Sequence, residues 1–513
     1  MRIAAACLVT ACGGDAAPPA PGLEFQGEMR CDELRIEALP EASSAVIILN
    51  DTMRRDVVGA YGGKARTPNL DAFAEGALLF ERAVSQSPWT KPSIATLFTS
   101  LYPSQHQVAT DPELRRSEAG AGGEEVMETD RLPRGLVTLA EVLGGAGLRT
   151  AAFVANPWLE PRFGFDQGFE VYDASFAAWG ASGNAAVDAA TEWLEDLAPG
   201  ERFFLYVHLI ESHRPYGRIE LDGLDAKREQ FNSDTRPTGV DADGLAAGLR
   251  LEDGTPATAA GFRPSRSLFR AAYRRGVEDF DAVLGHLLEA LRASEAWERT
   301  AVIVTSDHGE ALYRRGYGNH GMGLFEDETA LPLVARLPGV APSRGRVGCL
   351  VGLIDVMPSL CDYLGVPCPA ASAGWSFLDG IRPPDAARRY LVTEGVMGRP
   401  SHRALRNRRF KLLYEPEGKR GRGDASDPPW SLYDLKEDPR ERFDRTQPGQ
   451  TRRGREALEA QRVMSAALPE AVAAYEAPAR ETAPVSPQLE SRLEALGYLE
   501  EQEEQPAAGE PKP

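Results

Sequence analysis

Four short apolar runs govern what this chain can fold into. They are Ala45-Val-Ile-Ile-Leu49, Thr150-Ala-Ala-Phe-Val154, Phe203-Phe-Leu-Tyr-Val207 and Ala301-Val-Ile-Val-Thr305. A strand with one wet face alternates apolar and polar residues, whereas a strand apolar almost throughout is covered on both faces. Between these runs, the spacing of apolar residues predicts helices over Pro68 to Leu79, Leu136 to Gly145, Ala185 to Leu197 and Ser267 to Ser294. Strands alternating with helices imply an α/β fold with a parallel sheet between two helical layers. From about Pro383 the pattern changes. Arg389 to Thr393, Arg403 to Arg406, Phe410 to Tyr414 and Trp430 to Tyr433 predict a small antiparallel sheet.

These patterns divide the 513 residues into a leader and linker (1–40), a main domain (41–382), a C-terminal subdomain (383–499) and an acidic, Pro-containing tail (500–513). Residues 215–264 are polar and Gly/Asp-rich, and read as an insertion or lid. The start is short, basic and then apolar, with small residues before Cys12 and a Pro/Ala-rich stretch after it. It resembles a bacterial lipoprotein signal, with Cys12 as the lipid-bearing residue. That predicts a place in the cell envelope, periplasmic or on the outer membrane, tethered through Cys12. No apolar run reaches the ~18 residues of a spanning helix. The net charge of −19 argues against a nucleic-acid partner, which needs clustered Lys and Arg. Of the six cysteines, Cys361 and Cys368 are the nearest candidates for a disulfide, with buried free thiols as the alternative.

Polar residues cluster just after the strand runs. Asn50 and Asp51 follow the first. His208 and His213 follow the third. Asp307 and His308 follow the fourth, with His320 twelve residues on. Open α/β sheets build their sites at the carboxyl ends of strands. Only seven histidines occur, and four fall in these segments. Asp51, Asp307 and His308 form an O/O/N ligand set for a divalent metal, zinc or manganese foremost and calcium as an alternative. Thr90 precedes the apolar helix predicted over Pro92 to Leu101. A Thr90 oxygen would complete four-coordination and become a nucleophile through a lowered hydroxyl pKa. Taken singly, each residue has a structural reading: Thr90 as a helix cap, Asp51 as a turn cap, Asp307-His308-Gly309 as a turn. Lys91 reads as solvated, His286 as a helix residue and His402 as a surface residue.

The same segments resemble the sulfatase branch of the alkaline phosphatase superfamily. Val46 to Arg54, Gly59 to Gly63, Thr67 to Asp71, Thr99 to Pro103, Phe203 to Tyr216, Thr305 to Glu310, His320 to Glu326 and Leu493 to Leu499 carry the likeness. It implies an alkaline-phosphatase-like three-layer α/β/α sandwich with a large, mostly parallel sheet and a smaller C-terminal α+β subdomain. It also implies a metal-dependent ester hydrolase or transferase. The family's usual nucleophile motif, C/S-x-P-x-R, reads here Thr90-Lys91-Pro92-Ser93-Ile94. Oxidising Thr would give a ketone, so no formylglycine is expected, and Ile94 stands where the family has Arg. Ala155-Asn156-Pro157-Trp158 replaces the family's Gly-Lys-x-His segment. The pattern resembles the Thr-nucleophile relatives that transfer phosphoryl groups. The resemblance implies Thr90 as nucleophile, with His213, His320 and, less directly, His208 as contacts to the transferred group. The expected partner is an anionic phosphate or sulfate ester, lipid- or glycan-linked. Two rival readings are a sulfatase working without formylglycine and a non-catalytic binding protein on the same fold.

Overall fold

The computed structural model describes residues 28–30, 33–37, 43–109, 128–177, 183–214, 216–219, 249–251, 266–378, 390–416, 429–446, 452–472 and 478–495. The Cys12 segment, most of the 215–264 insertion and the 500–513 tail lie outside them.

The main sheet has ten strands. Eight of them are labelled here: β1 (Ser44–Asn50), β2 (Leu78–Val84), β3 (Arg149–Val154), β4 (Val171–Asp173), β5 (Phe203–Leu209), β6 (Thr300–Thr305), β7 (Leu333–Arg336) and β8 (Gly345–Gly352). Their order is β8-β2-β7-β6-β1-β5-β3-β4, with Glu28–Met29 outside β8 and Ala330–Leu331 pairing β2. Along the main path β7 alone is antiparallel to its neighbours; the other pairs are parallel. The four apolar runs are β1, β3, β5 and β6, and they lie side by side.

Burial on both faces explains their composition. Ala45, Ile47 and Leu49 of β1 join one apolar core, while Val46 and Ile48 join the other. The first core takes Ile94, Leu97 and Phe98 from helix Thr90–Thr99, with Leu139 and Leu143 from Leu139–Gly145. The second takes Leu70 and Phe73 from Pro68–Glu75, and a long stripe from Arg266–Ala293. The architecture is therefore a three-layer α/β/α sandwich.

One helix boundary differs markedly from expectation. The helix predicted to reach Leu79 stops at Glu75, with Gly76 as its C-cap, and Leu78 and Leu79 open β2. A short apolar run after a helix carries either periodicity, and Gly76 was the deciding stop signal. Cys361 and Cys368 remain free thiols, while Cys349 is disulfide-bonded to a partner outside the described residues.

The C-terminal sheet is an antiparallel meander: β9 (Leu391–Val396), β10 (Arg399–Arg406), β11 (Phe410–Tyr414) and β12 (Trp430–Asp434). Helix Arg452–Val472 contributes Ala457 and Met464 to its core. His402, expected on the surface, is 3% exposed, because its strand is covered there. The chain then returns to the main domain. Glu481–Pro484 pairs with Glu128–Arg131, and Leu489 and Leu493 enter the first core.

Ile47 sits fully buried in a central strand. Ile47→Ala should cost about 2–5 kcal/mol of stability. Urea unfolding checks this, and a loss below about 1 kcal/mol would show that the centre of the sheet is not the main core.

Candidate active site

β1 and β6 are hydrogen-bonded neighbours in parallel register, Leu49 opposite Thr305. Their carboxyl ends therefore present Asp51 beside Asp307 and His308. One ligand atom from each of the three lies within 4.8 Å of the others. All three residues are fully buried.

The turn after β1 is strained and heavily tied. Thr52 has φ 61°, a left-handed conformation that β-branched residues rarely adopt. Its N–H donates to Asp307 Oδ1 at 3.2 Å, its hydroxyl to Ser212 O at 2.8 Å, and its carbonyl accepts from Tyr273 OH at 2.6 Å. Met53 N–H donates to Ser306 Oγ at 2.8 Å. Arg54 Nη1 donates to Glu310 O at 2.6 Å, and its Nη2 to Asp327 Oδ1 at 2.9 Å. Gly309 is needed because a Cβ there would lie 2.3 Å from Asp327 O.

The donor atoms are arranged as lone pairs facing one another. Gly309 O can only accept, so His308 Nδ1, 2.9 Å away, carries the ring proton. The neutral ring then turns its Nε2 lone pair toward Asp51 Oδ1 at 3.4 Å and Asp307 Oδ2 at 3.3 Å. Neither of those oxygens has a hydrogen-bond donor among the described residues. Burial opposes charge on Asp51, but His213, His208 and His308 hold its carboxyl well below the usual range. Burial, then the Asp51 charge, push Asp307 well above it. Burial, then His320, bring His308 down to about 3. Buried, facing lone pairs are costly unless a cation lies between them. The donor set therefore fits a divalent metal with oxygen and imidazole preference.

Thr90 opens helix Thr90–Thr99 as its first residue. Trp89, not Thr90, holds the cap position, and it makes no side-chain cap bond. The expected capping role is thus corrected. The hydroxyl instead sits 3.2 Å from His308 Nε2 and 3.4 Å from Asp51 Oδ2. Lys91, read as solvated, is fully buried. Its Nζ donates to Thr129 Oγ1 at 2.7 Å and to Asp130 O, above the rings of Trp158 and Phe163. It fastens strand Glu128–Arg131 to the helix. Ile94 packs in the first core, so its side chain faces away from the site's polar groups.

The remaining predicted histidines converge on the same place. The His320 ring lies 4.5 Å from that of His308 and 5.0 Å from that of His213. His320 Nδ1 is 3.3 Å from Glu310 Oε2, and His213 Nδ1 is 2.7 Å from Arg214 O. Burial lowers His320 to about 4 and also depresses His213, while it raises Glu310 to about 7. His208 stands inside β5 behind Asp51, with Nε2 3.4 Å from Oδ2 and Nδ1 2.7 Å from Tyr206 OH. It supports the carboxylate. Gly321 N–H donates to Pro88 O at 3.0 Å, and Met397 N–H of the C-terminal subdomain to Gly321 O at 2.8 Å. The subdomain thereby holds the His320 loop against the Thr90 turn.

Asn156 stands in the sequence only as a departure from the family pattern, with no role implied. Its Nδ2 donates to Asp51 Oδ2 at 2.5 Å. It follows β3, so the strand-end rule that found Asp51 could have found it. Glu310, Arg54 and Ser212 likewise lie within the family-like segments, which imply no role for them.

Residues 43–366 match the sulfatase family. The Delta 4,5-hexuronate-2-O-sulfatase of Bacteroides thetaiotaomicron is 24% identical over 443 residues, covering 78% of this chain and 84% of that protein. The ulvan-active sulfatase of Formosa agariphila is 25% identical over 425 residues, 74% of each. The solved phosphonate monoester hydrolase of Agrobacterium radiobacter superposes with a TM-score of 0.59 at 19% identity, over 84% of this chain and 96% of that one.

The purified chain should carry about one divalent metal per molecule. Asp307→Ala and His308→Ala should each lower metal affinity by at least ~10-fold. Elemental analysis after dialysis checks this, and full retention in both variants would refute the ligand set.

Proposed function

The chain belongs to the sulfatase family, and from that membership we propose that it transfers a phosphoryl group from an anionic ester through Thr90. As a sulfatase-family hydrolase it acts on ester bonds; the choice of nucleophile and of the transferred group is our reading. The observation that carries it is the buried Thr90 hydroxyl, held among Asp51 and His308 rather than used as a helix cap.

Asp51, Asp307 and His308 would hold the metal, with Thr90 Oγ1 as a further oxygen. A bound divalent cation supplies positive charge that favours loss of the hydroxyl proton and offsets the ester's negative charge. Thr90 would lose its proton to solvent, Oγ1 would bond to phosphorus as the bond to the leaving alcohol breaks, and that alcohol would take a proton from His213 or His320 Nε2. Water or a second alcohol then breaks the Thr90 Oγ1–phosphorus bond and restores the hydroxyl. His213 and His320 each engage Nδ1 with a neighbouring oxygen, so Nε2 is the atom that gains or loses a proton. An arriving anionic ester offsets the burial that depresses both rings, and favours a proton there to hydrogen-bond the ester or pass to the leaving alcohol. Asn156, Tyr206 and His208 hold Asp51 in place.

Sulfate-ester hydrolysis without formylglycine is the second reading. It is favoured by the two relatives named as sulfatases that align over about three quarters of the chain. Those proteins act on sulfate esters, by their names. Thr90 argues for phosphoryl transfer, since its methyl group rules out the aldehyde hydrate. A binding protein without catalysis would have no use for uncompensated lone pairs in its interior. We further propose an exported, lipid-tethered protein, from the Cys12 segment.

Aryl phosphodiesters, phosphonate monoesters, phosphomonoesters and aryl sulfates, assayed with the metal-loaded chain, test this reading. A phosphorus ester should turn over fastest, and Thr90→Ala should lose about 10³-fold or more in kcat. Turnover of sulfate esters alone, or an active Thr90→Ala variant, would overturn it.

A further inference from the structure

The hairpin turn between β10 and β11 carries Arg406-Asn407-Arg408-Arg409. It faces the segments after β1 and within β2 across a cleft of about 450 Å³. Arg55, Arg82, Arg406, Arg408, Arg409 and Lys436 line that cleft. The acidic residues in its wall are Glu81 and Glu326; outside the wall, Arg82 pairs with Glu28, and Arg409 with Asp434 and Glu456. The whole chain has a net charge of −19, so this concentration does not follow from composition. None of Asp51, Thr90, Asp307, His308, His213 or His320 lines it.

Both glutamates are already engaged. Glu326 accepts Arg406 Nε and Nη2 at 3.0 Å each, and Lys411 Nζ at 3.2 Å. Glu81 accepts Arg346. Arg408 and Lys436 are exposed and have no ion-pair partner among the described residues. Arg406 is 5% exposed, and its Nη1 has no hydrogen-bond acceptor. Guanidinium groups present planar donor forks that match the oxygens of sulfate and phosphate.

We propose that this cleft is a second anion site, taking a sulfate or phosphate group either free or pendant on an acidic sugar chain. The site stands apart from the reacting centre but shares its supports. Arg54, next to Arg55, donates to Asp327, next to Glu326, and to Glu310 O. A charged group held here would rest against the strut that carries the Asp307–Glu310 loop. The inference does not depend on which ester the Thr90 centre cleaves.

Calorimetric titration of the full, metal-loaded chain tests it, with inorganic sulfate, inorganic phosphate, and a sulfated tetrasaccharide against its desulfated counterpart. The Arg408→Gln/Lys436→Gln double variant changes only exposed side chains, and Lys64→Gln/Arg344→Gln, also exposed, controls for net charge. At least one sulfated or phosphate probe should lose affinity by about 10-fold or more in the cleft variant and not in the control. Turnover of a small aryl ester should stay within about twofold. Binding of the inorganic ions identifies a free-ion site, and binding of the sulfated chain alone identifies a pendant group. Undiminished binding of every probe in the cleft variant, or an equal loss in the control, would overturn the proposal.

Discussion

Three buried lone pairs pointing at one another are the constraint on which the rest of this structure depends. Asp51 Oδ1, Asp307 Oδ2 and His308 Nε2 meet with no hydrogen-bond donor among the described residues for either carboxylate oxygen. In a protein interior that arrangement is costly without a cation. The fold nevertheless enforces it. Parallel pairing of β1 with β6 sets the two carboxylates side by side. The left-handed Thr52 turn and the Arg54 guanidinium hold them there. Strain of this kind persists where surrounding bonds over-determine it, and it gathers at working sites.

Thr90 gains its standing from that cluster. A hydroxyl at the start of a helix is ordinarily a cap, worth about 1 kcal/mol. Here the cap position belongs to Trp89, and the hydroxyl is turned to the ligands. Its neighbours support the turn and carry no charge into the site. Lys91 is spent on Thr129 and Asp130, and Ile94 on the core. The polar groups that could meet an ester come from other elements, through His213 and His320.

Much of this was legible in the chain. The apolar runs mark the central strands because burial on both faces leaves no alternation, and the polar residues after them are ones the structure brings together. What escaped detection depends on tertiary contact. Lys91 looks solvated until a strand forty residues on supplies its acceptors. His402 looks exposed until a covering layer is known. Asn156 belongs to no motif that points to its role, although it follows a recognised strand. β7, antiparallel within a parallel sheet, gives no signal of its direction in Leu333-Val-Ala-Arg336. The charged cleft likewise appears only when a C-terminal hairpin meets the segments after β1 and within β2.

The most direct test of the central claim is to stop the reaction in acid during turnover of a phosphodiester and map covalent phosphorus by peptide sequencing with phosphorus-specific detection. The account predicts a phosphoryl group on Thr90 and on no other residue, appearing with the first turnover. Turnover without phosphorus on Thr90, or phosphorus fixed to another side chain, would contradict it.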